Sequence, residues 1–104
     1  MASSVEYLQF VLEQLSDCAE ITYRPMMGEY IIYHRGKVVG GIYDDRFLLK
    51  PTKSAVAMMP DAAMELPYEG AKEMLVADID DRARTCRVVE AIEKDLPAPK
   101  RKKT

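Results

Sequence analysis

The sequence predicts an α+β domain in which helices flank an antiparallel meander. Three observations carry that reading. Val5, Leu8, Val11, Leu12 and Leu15 recur at helical spacing near the start. From Thr22 to Lys37 the chain reads as a strand, a break at Pro25 to Gly28, a second strand and a glycine turn. After Asp78, Asp80 and Asp81, a second helical pattern follows through Ile79, Ala83, Cys86, Val89, Ile92 and Leu96. Apolar residues three and four apart line one face of a helix, while alternation marks a strand.

Ser3 and Glu6 form a capping-box pattern, so the first helix is placed from about Ser4 to Ser16. Glu20 to Arg24 is a short strand. Pro25 has no N–H and disfavours helix at the residue before it, so it ends or edges that strand. Tyr30 to Arg35 is rich in strand formers, with Tyr30, Ile32 and His34 on one face and Ile31, Tyr33 and Arg35 on the other. Gly36-Lys37 makes a hairpin turn into Val38–Tyr43, and Asp44-Asp45 turns the chain again into Arg46–Lys50. Gly40-Gly41 inside a strand signals a bulge or a close approach, with a ligand against the backbone as the functional alternative. Thr52 or Ser54 caps a short helix through Ala55 to Met59, closed by Pro60. Ala62 to Tyr68 is a loop into a short strand, and Lys72 to Val76 is one more strand. The last helix begins behind its acidic residues and stops at Pro97 and Pro99.

At 104 residues, 48% hydrophobic and 31% charged, the chain is one globular domain, 1–96, with a tail, 97–104, expected to be disordered. The net charge of −2 conceals an asymmetry: Lys100, Arg101, Lys102 and Lys103 are consecutive cations, and without them 11 basic residues face 17 acidic ones, a net −6. An acidic body repels phosphate backbones, so nucleic acid is a partner at most through the tail. A solvated tail is the simpler account of the same charges. Cys18 and Cys86 are too few for a disulfide framework and are read as buried free thiols. The N-terminus lacks the basic start and apolar run of a signal peptide, and no apolar run is long enough for a bilayer, so the protein is expected in the cytoplasm.

The chemistry-bearing residues do not assemble into a motif. A calcium loop starting at Asp78 would need an acid or amide at Arg82, Gly at Ala83 and Glu at Val89, so those aspartates are read as a helix cap. His34 is the single histidine and is read as a surface or satisfied core residue. No phosphate-loop pattern of glycines is present. Met26-Met27 is either core or an adaptable contact surface at a loop, and Met58-Met59 is half core. The tyrosines of the strand region are read as a packed sheet face with phenol groups at its rim, not as a stacking platform.

The segment Thr22-Tyr23-Arg24-Pro25-Met26-Met27-Gly28-Glu29-Tyr30, with Gly36, Leu48-Leu49-Lys50 and Leu66-Pro67-Tyr68-Glu69, resembles the N-terminal domain of the TfoX/Sxy competence regulators. The likeness covers nearly the whole chain. It implies a two-layer α+β fold, similar to secretion-chaperone-like domains, with the antiparallel sheet carrying helices on one face. Full-length members act with the cAMP receptor protein on DNA-uptake genes and carry a second, helical C-terminal domain, whereas this sequence stops at Thr104. The resemblance implies a non-enzymatic protein-interaction domain related to transcriptional co-activators, with no catalytic residue, cofactor or metal ligand. Arg24, Met26, Met27 and Gly28 match the family motif. With Tyr30 and Tyr33 they are the candidate partner contacts, while Lys100, Arg101, Lys102 and Lys103 are candidates for nucleic acid or an acidic surface. The alternative is a small ligand-binding domain or enzyme with a pocket near Arg24 and Tyr30. A homodimer through the sheet or a helix face is expected, because an edge strand and a two-sided apolar sheet both need cover.

Overall fold

Three tight hairpin turns organise the sheet. In the computed structural model, which describes residues 3–97, strands β1 (Ile21–Met26), β2 (Glu29–His34), β3 (Lys37–Ile42) and β4 (Phe47–Leu49) form an antiparallel meander. The turns are Met27-Gly28, Arg35-Gly36 and Asp44-Asp45, and every central residue has positive φ. That is the two-residue hairpin geometry whose twist matches the flanking strands. Two further strands follow, β5 (Met64–Glu65) and β6 (Met74–Val76). β6 pairs with β4 and β5 lies outside it, giving the order β1-β2-β3-β4-β6-β5 with all pairs antiparallel.

Helix α1 (Val5–Gln14) begins at Ser4, whose hydroxyl accepts from the Tyr7 N–H. The cap is therefore Ser4, one residue after the expected Ser3, because Ser3 is engaged elsewhere: its hydroxyl donates to Glu29 Oε1 at 2.6 Å and accepts from the Asp45 N–H. Thr52 caps helix α2 (Lys53–Met58) and Asp81 caps helix α3 (Arg82–Asp95) through the Arg84 N–H.

All three helices lie on one face. Leu8, Val11 and Leu15 of α1, Ala55 of α2, and Val88, Val89 and Ile92 of α3 pack on Ile32, Val39, Ile42, Phe47, Leu49 and Leu75 of the sheet. Each such aliphatic side chain contributes about 1.5–3 kcal/mol on burial. The face assignment of β2 holds: Ile32 and His34 are buried and Tyr30 packs against the core.

Gly40-Gly41 has a packing explanation. Pairing jumps from Ile32–Gly40 to Tyr33–Val38, which leaves Val39 as the extra residue of a β-bulge. Beside it, a Cβ on Gly40 would overlap the Leu48 carbonyl oxygen, and one on Gly41 would lie 2.6–2.8 Å from the Tyr43 ring. Both Cβ positions are taken by protein.

One expectation is corrected and another is narrowed. Cys18 and Cys86 are not free thiols but a disulfide, with Cα atoms 5.7 Å apart, within the range a bridge spans. The turn after α1 packs on α3, a juxtaposition across 68 residues that leaves no local trace. Of the two readings of Pro25 the edge one holds: β1 is the sheet edge, and Pro25 does not end it but lies within it, opposite Tyr30. There a missing N–H removes no ladder bond. Apart from Pro97, the expected tail with Lys100, Arg101, Lys102 and Lys103 lies outside the described residues.

Candidate functional site

The β1–β2 hairpin carries all six expected contact residues, and the structure divides them. Tyr23 is paired with buried Ile32, and its ring meets that of Tyr30 edge-on with centroids 5.9 Å apart, so Tyr23 and Tyr30 share the helix-covered face. Alternation then puts Arg24, opposite Ile31, on the outer face with Tyr33 and Met26. A single pocket near both Arg24 and Tyr30 is not formed, because the sheet separates the two side chains.

Met27 and Gly28 form the turn. Met27 is 96% exposed and Met26 44% exposed, so the core reading of this pair is corrected to surface. Turn positions with positive φ point a side chain into solvent, with no neighbouring strand to cover it. Met58-Met59 does divide as a half-core pair: Met59 is buried and Met58 packs at the core margin.

The tip is held firmly from behind. The Ser3 N–H donates to the Gly28 carbonyl at 3.0 Å, and Glu29 Oε1 accepts from the Ser3 hydroxyl and the Asp44 N–H. Asp45 Oδ1 accepts from the Ser4 N–H at 2.8 Å. This knot ties the N-terminus, the β1–β2 hairpin and the β3–β4 turn together. Glu29 and Asp45 were legible in sequence only as acids near turns, and nothing local links them to Ser3.

Three hollows accompany the hairpin. A cleft of about 780 Å³ runs between the end of α1 and the inner side of β1, with Leu12, Leu15, Ile21, Tyr23 and Pro25 on its walls. On the outer face, the loop after β5 folds back so that Tyr68 packs on Tyr43, centroids 6.1 Å apart. A hollow of about 410 Å³ opens there, lined by both tyrosines, Pro51, Pro67, Lys50 and Lys72. Burial and the neighbouring Tyr68 and Glu29 raise the Tyr43 phenol above its usual range. The third hollow, about 380 Å³, lies beside His34 with Arg35, Glu90, Glu93 and Lys94. His34 is 1% exposed and its Nδ1 has no hydrogen-bond partner, so it is a core histidine but not a satisfied one.

Next to His34, Lys37 closes the end of α3. Its ammonium donates to the Glu93 and Leu96 carbonyls at 3.0 and 3.1 Å and pairs with the Glu93 carboxylate at 2.9 Å. The hydrogen bond from Lys37 lowers the Glu93 pKa. Asp95 accepts from the Ser54 N–H and hydroxyl at the start of α2, and the backbone bond leads in holding its carboxyl below the usual range. These are structural joints: a cation at a helix C-terminus and an anion at a helix N-terminus. Among the described residues no helix is long and apolar enough to cross a membrane.

Comparison with known proteins places the chain. It is 35% identical, over 99% of its own length and 91% of the relative's, to a protein of Spirochaeta aurantia described as an uncharacterized 12.7 kDa protein in the trpE 5′ region. No solved structure matches. The sequence profile of the TfoX N-terminal domain matches residues 13–96, a span that holds the β1–β2 hairpin, the whole sheet and α3, and the chain therefore belongs to the TfoX N-terminal domain family.

Proposed function

We propose that this chain is a protein-interaction domain with no catalytic chemistry of its own, acting in transcriptional regulation in the cytoplasm, and that it engages a protein partner with the β1–β2 hairpin. One observation carries the reading. Two adjacent methionines, one 96% exposed, stand on a turn whose backbone is fixed by the Ser3–Glu29–Asp44 hydrogen bonds. Unbranched, polarisable side chains on a fixed mount suit an adaptable apolar contact. Arg24 and Tyr33 on the adjoining outer face supply a cation and an aromatic rim.

The test is affinity purification with the wild-type chain and with Met27→Asp, followed by direct binding of the recovered protein. Met27 touches no core, so the variant stays folded. The reading requires loss of the partner by Met27→Asp; retention at unchanged affinity overturns it.

A second reading is supported by the outer hollow rather than by the Arg24 and Tyr30 neighbourhood. Two tyrosines and two prolines with Lys50 and Lys72, offset in part by Glu73, suit a flat ligand carrying an anionic group. Chemical-shift changes confined to Tyr43 and Tyr68 on adding aromatic carboxylates would favour it.

A further inference from the structure

We propose that two copies of this chain pair antiparallel through β1, about a two-fold axis at Thr22, joining their sheets into one. The inference does not rest on the hairpin-tip reading, because the tip lies about 15 Å from that axis along an extended strand.

β1 is an edge of the sheet, and apart from Ile21 all its residues are exposed. The two-residue turn at Met27-Gly28 fixes which backbone groups are used. Met26, Arg24 and Thr22 exchange hydrogen bonds with β2, and Glu20, in the turn before β1 with φ +56°, adds one bond, its carbonyl accepting from the Arg35 N–H at 3.0 Å. Ile21, Tyr23 and Pro25 therefore direct their backbone groups to the open edge. Pro25 has no N–H, so the edge offers donors only at Ile21 and Tyr23.

A second β1 satisfies both. With the axis at Thr22, Ile21 faces the partner's Tyr23 and exchanges both backbone bonds with it. The symmetric pair does the same, so every outward donor is used. The same register brings Arg24 level with the partner's Glu20, twice, the glutamate standing in the positive-φ turn just before β1. Among the described residues neither Arg24 nor Glu20 has an ion pair within its own chain.

Other registers are poorer. An axis at Tyr23 sets Glu20 against the partner's Met26. An axis at Arg24 puts the two guanidiniums opposite each other, and like charges in that position are destabilising. On the inner face, Ile21 lies beside the partner's Tyr23, and each strand closes the open side of the other copy's apolar cleft, lined by Leu12, Leu15, Ile21, Tyr23 and Pro25. The opposite edge, β5, has two residues, so the contact is isologous and stops at a dimer.

Sedimentation equilibrium of the full chain over a dilution series up to about 0.5 mM covers the range of a small, reversible interface. The mass should rise from 11.8 kDa toward twice that, and less so in molar salt. Tyr23→Pro removes an outward N–H while sparing the β2 ladder, as Pro25 already does. It should be folded by far-UV circular dichroism and monomeric throughout. Should Tyr23→Pro not fold, the charge pair decides: Arg24→Glu and Glu20→Arg should each weaken the dimer at least tenfold, and the double variant should restore it. Met27→Asp should dimerise as the wild type does, whatever it does to partner binding. A wild-type monomer at every concentration overturns the proposal. So does a folded Tyr23→Pro that still dimerises, or a double charge variant that fails to recover.

Discussion

Gly40→Ala is the substitution the sheet tolerates least for its size. The added methyl would overlap the Leu48 carbonyl oxygen and lie 3.1 Å from Leu49 Cα, so both obstacles are backbone and no rotamer change relieves them. β3 and β4 must separate locally. The bonds on either side are the Gly41–Leu48 pair and the Lys50 N–H to the Val39 carbonyl at 2.9 Å. Weakening two ladder bonds costs about 1 kcal/mol each, and overpacking adds about 1–3. The unfolded chain gives back about 0.4–1 kcal/mol through lost glycine entropy. The net is a loss of about 3 kcal/mol, a fall in Tm of roughly 10–20 °C for a domain of this size. Gly41→Ala meets the Tyr43 ring at 2.6–2.8 Å, and a ring can swing, so about 1–2 kcal/mol is expected there. Urea unfolding of both variants, and of Gly41→Ala with Tyr43→Leu, measures this. A Gly40→Ala loss under about 0.5 kcal/mol, within the range of unconstrained surface sites, would refute the close-approach argument. So would a Gly41→Ala cost unchanged by removing the ring, since contacting residues must show coupling.

Lys37→Met should destabilise by about 1–3 kcal/mol and fray the last turn of α3, because the Glu93 and Leu96 carbonyls lose their donor; amide exchange at Glu93 to Leu96 reads it. Acid should loosen the same corner. The folded Glu93 and Asp95 carboxyls titrate below the usual carboxylate range, so their contribution is complete above that range and is lost as pH falls through the lower folded values. Glu93→Gln with Asp95→Asn should flatten the stability slope below about pH 4.5, measured by urea titration at stepped pH. Reduction of Cys18–Cys86, or Cys18→Ser, should cost about 4 kcal/mol from the entropy of its 68-residue separation, seen as a lower Tm with dithiothreitol. Tyr33→Glu should give a folded protein whose dimer survives; light scattering separates that outcome from a folded monomer.

What the sequence made legible is what short-range chemistry specifies. The three turns were visible from Gly28, Gly36 and Asp44-Asp45, although the second lies at Arg35-Gly36, one residue before the expected Gly36-Lys37; of the two candidate caps for α2 it is Thr52, and Asp81 caps α3. The alternation of Tyr30 to His34 gave the correct buried face because the bulge sits on β3 and does not disturb β2. The misses are all long-range. β5 and β6, two and three residues long, fall within the expected strands of Ala62–Tyr68 and Lys72–Val76, but their pairing, β6 on β4 and β5 on β6, left no local trace. The disulfide needed the turn after α1 and the face of α3 to meet. Ser3 looked like a cap because its spacing to Glu6 is right, yet Glu29 and Asp45, distant in sequence, bind its hydroxyl. At the hairpin, the motif residues Arg24, Met26, Met27 and Gly28 were found in order, but which side each faces depends on register.

That register bears on how two copies would meet. From sequence, two features call for cover: an edge strand, and a second apolar face of the meander that a single helix layer leaves open to a partner copy lying flat on it. The structure removes the second need over half the sheet. Leu48 is fully buried and Tyr43 nearly so on the outer face, and the cover comes from the chain's own loop, with Tyr68 against Tyr43. Over β2 the outer side chains Ile31 and Tyr33 are half-buried, a state an aromatic with a phenol tip occupies at little cost. A carboxylate at position 33 would sit diagonal to Arg24 across the β1–β2 pair, a favourable place for it. Uncovered apolar area is therefore a weak driver of association here. The open backbone groups at Ile21 and Tyr23 are the feature another strand can use, each bond adding about 0.5–1.5 kcal/mol net over water. The face is self-sufficient and the edge is not, which is why the proposed contact between copies is placed at β1.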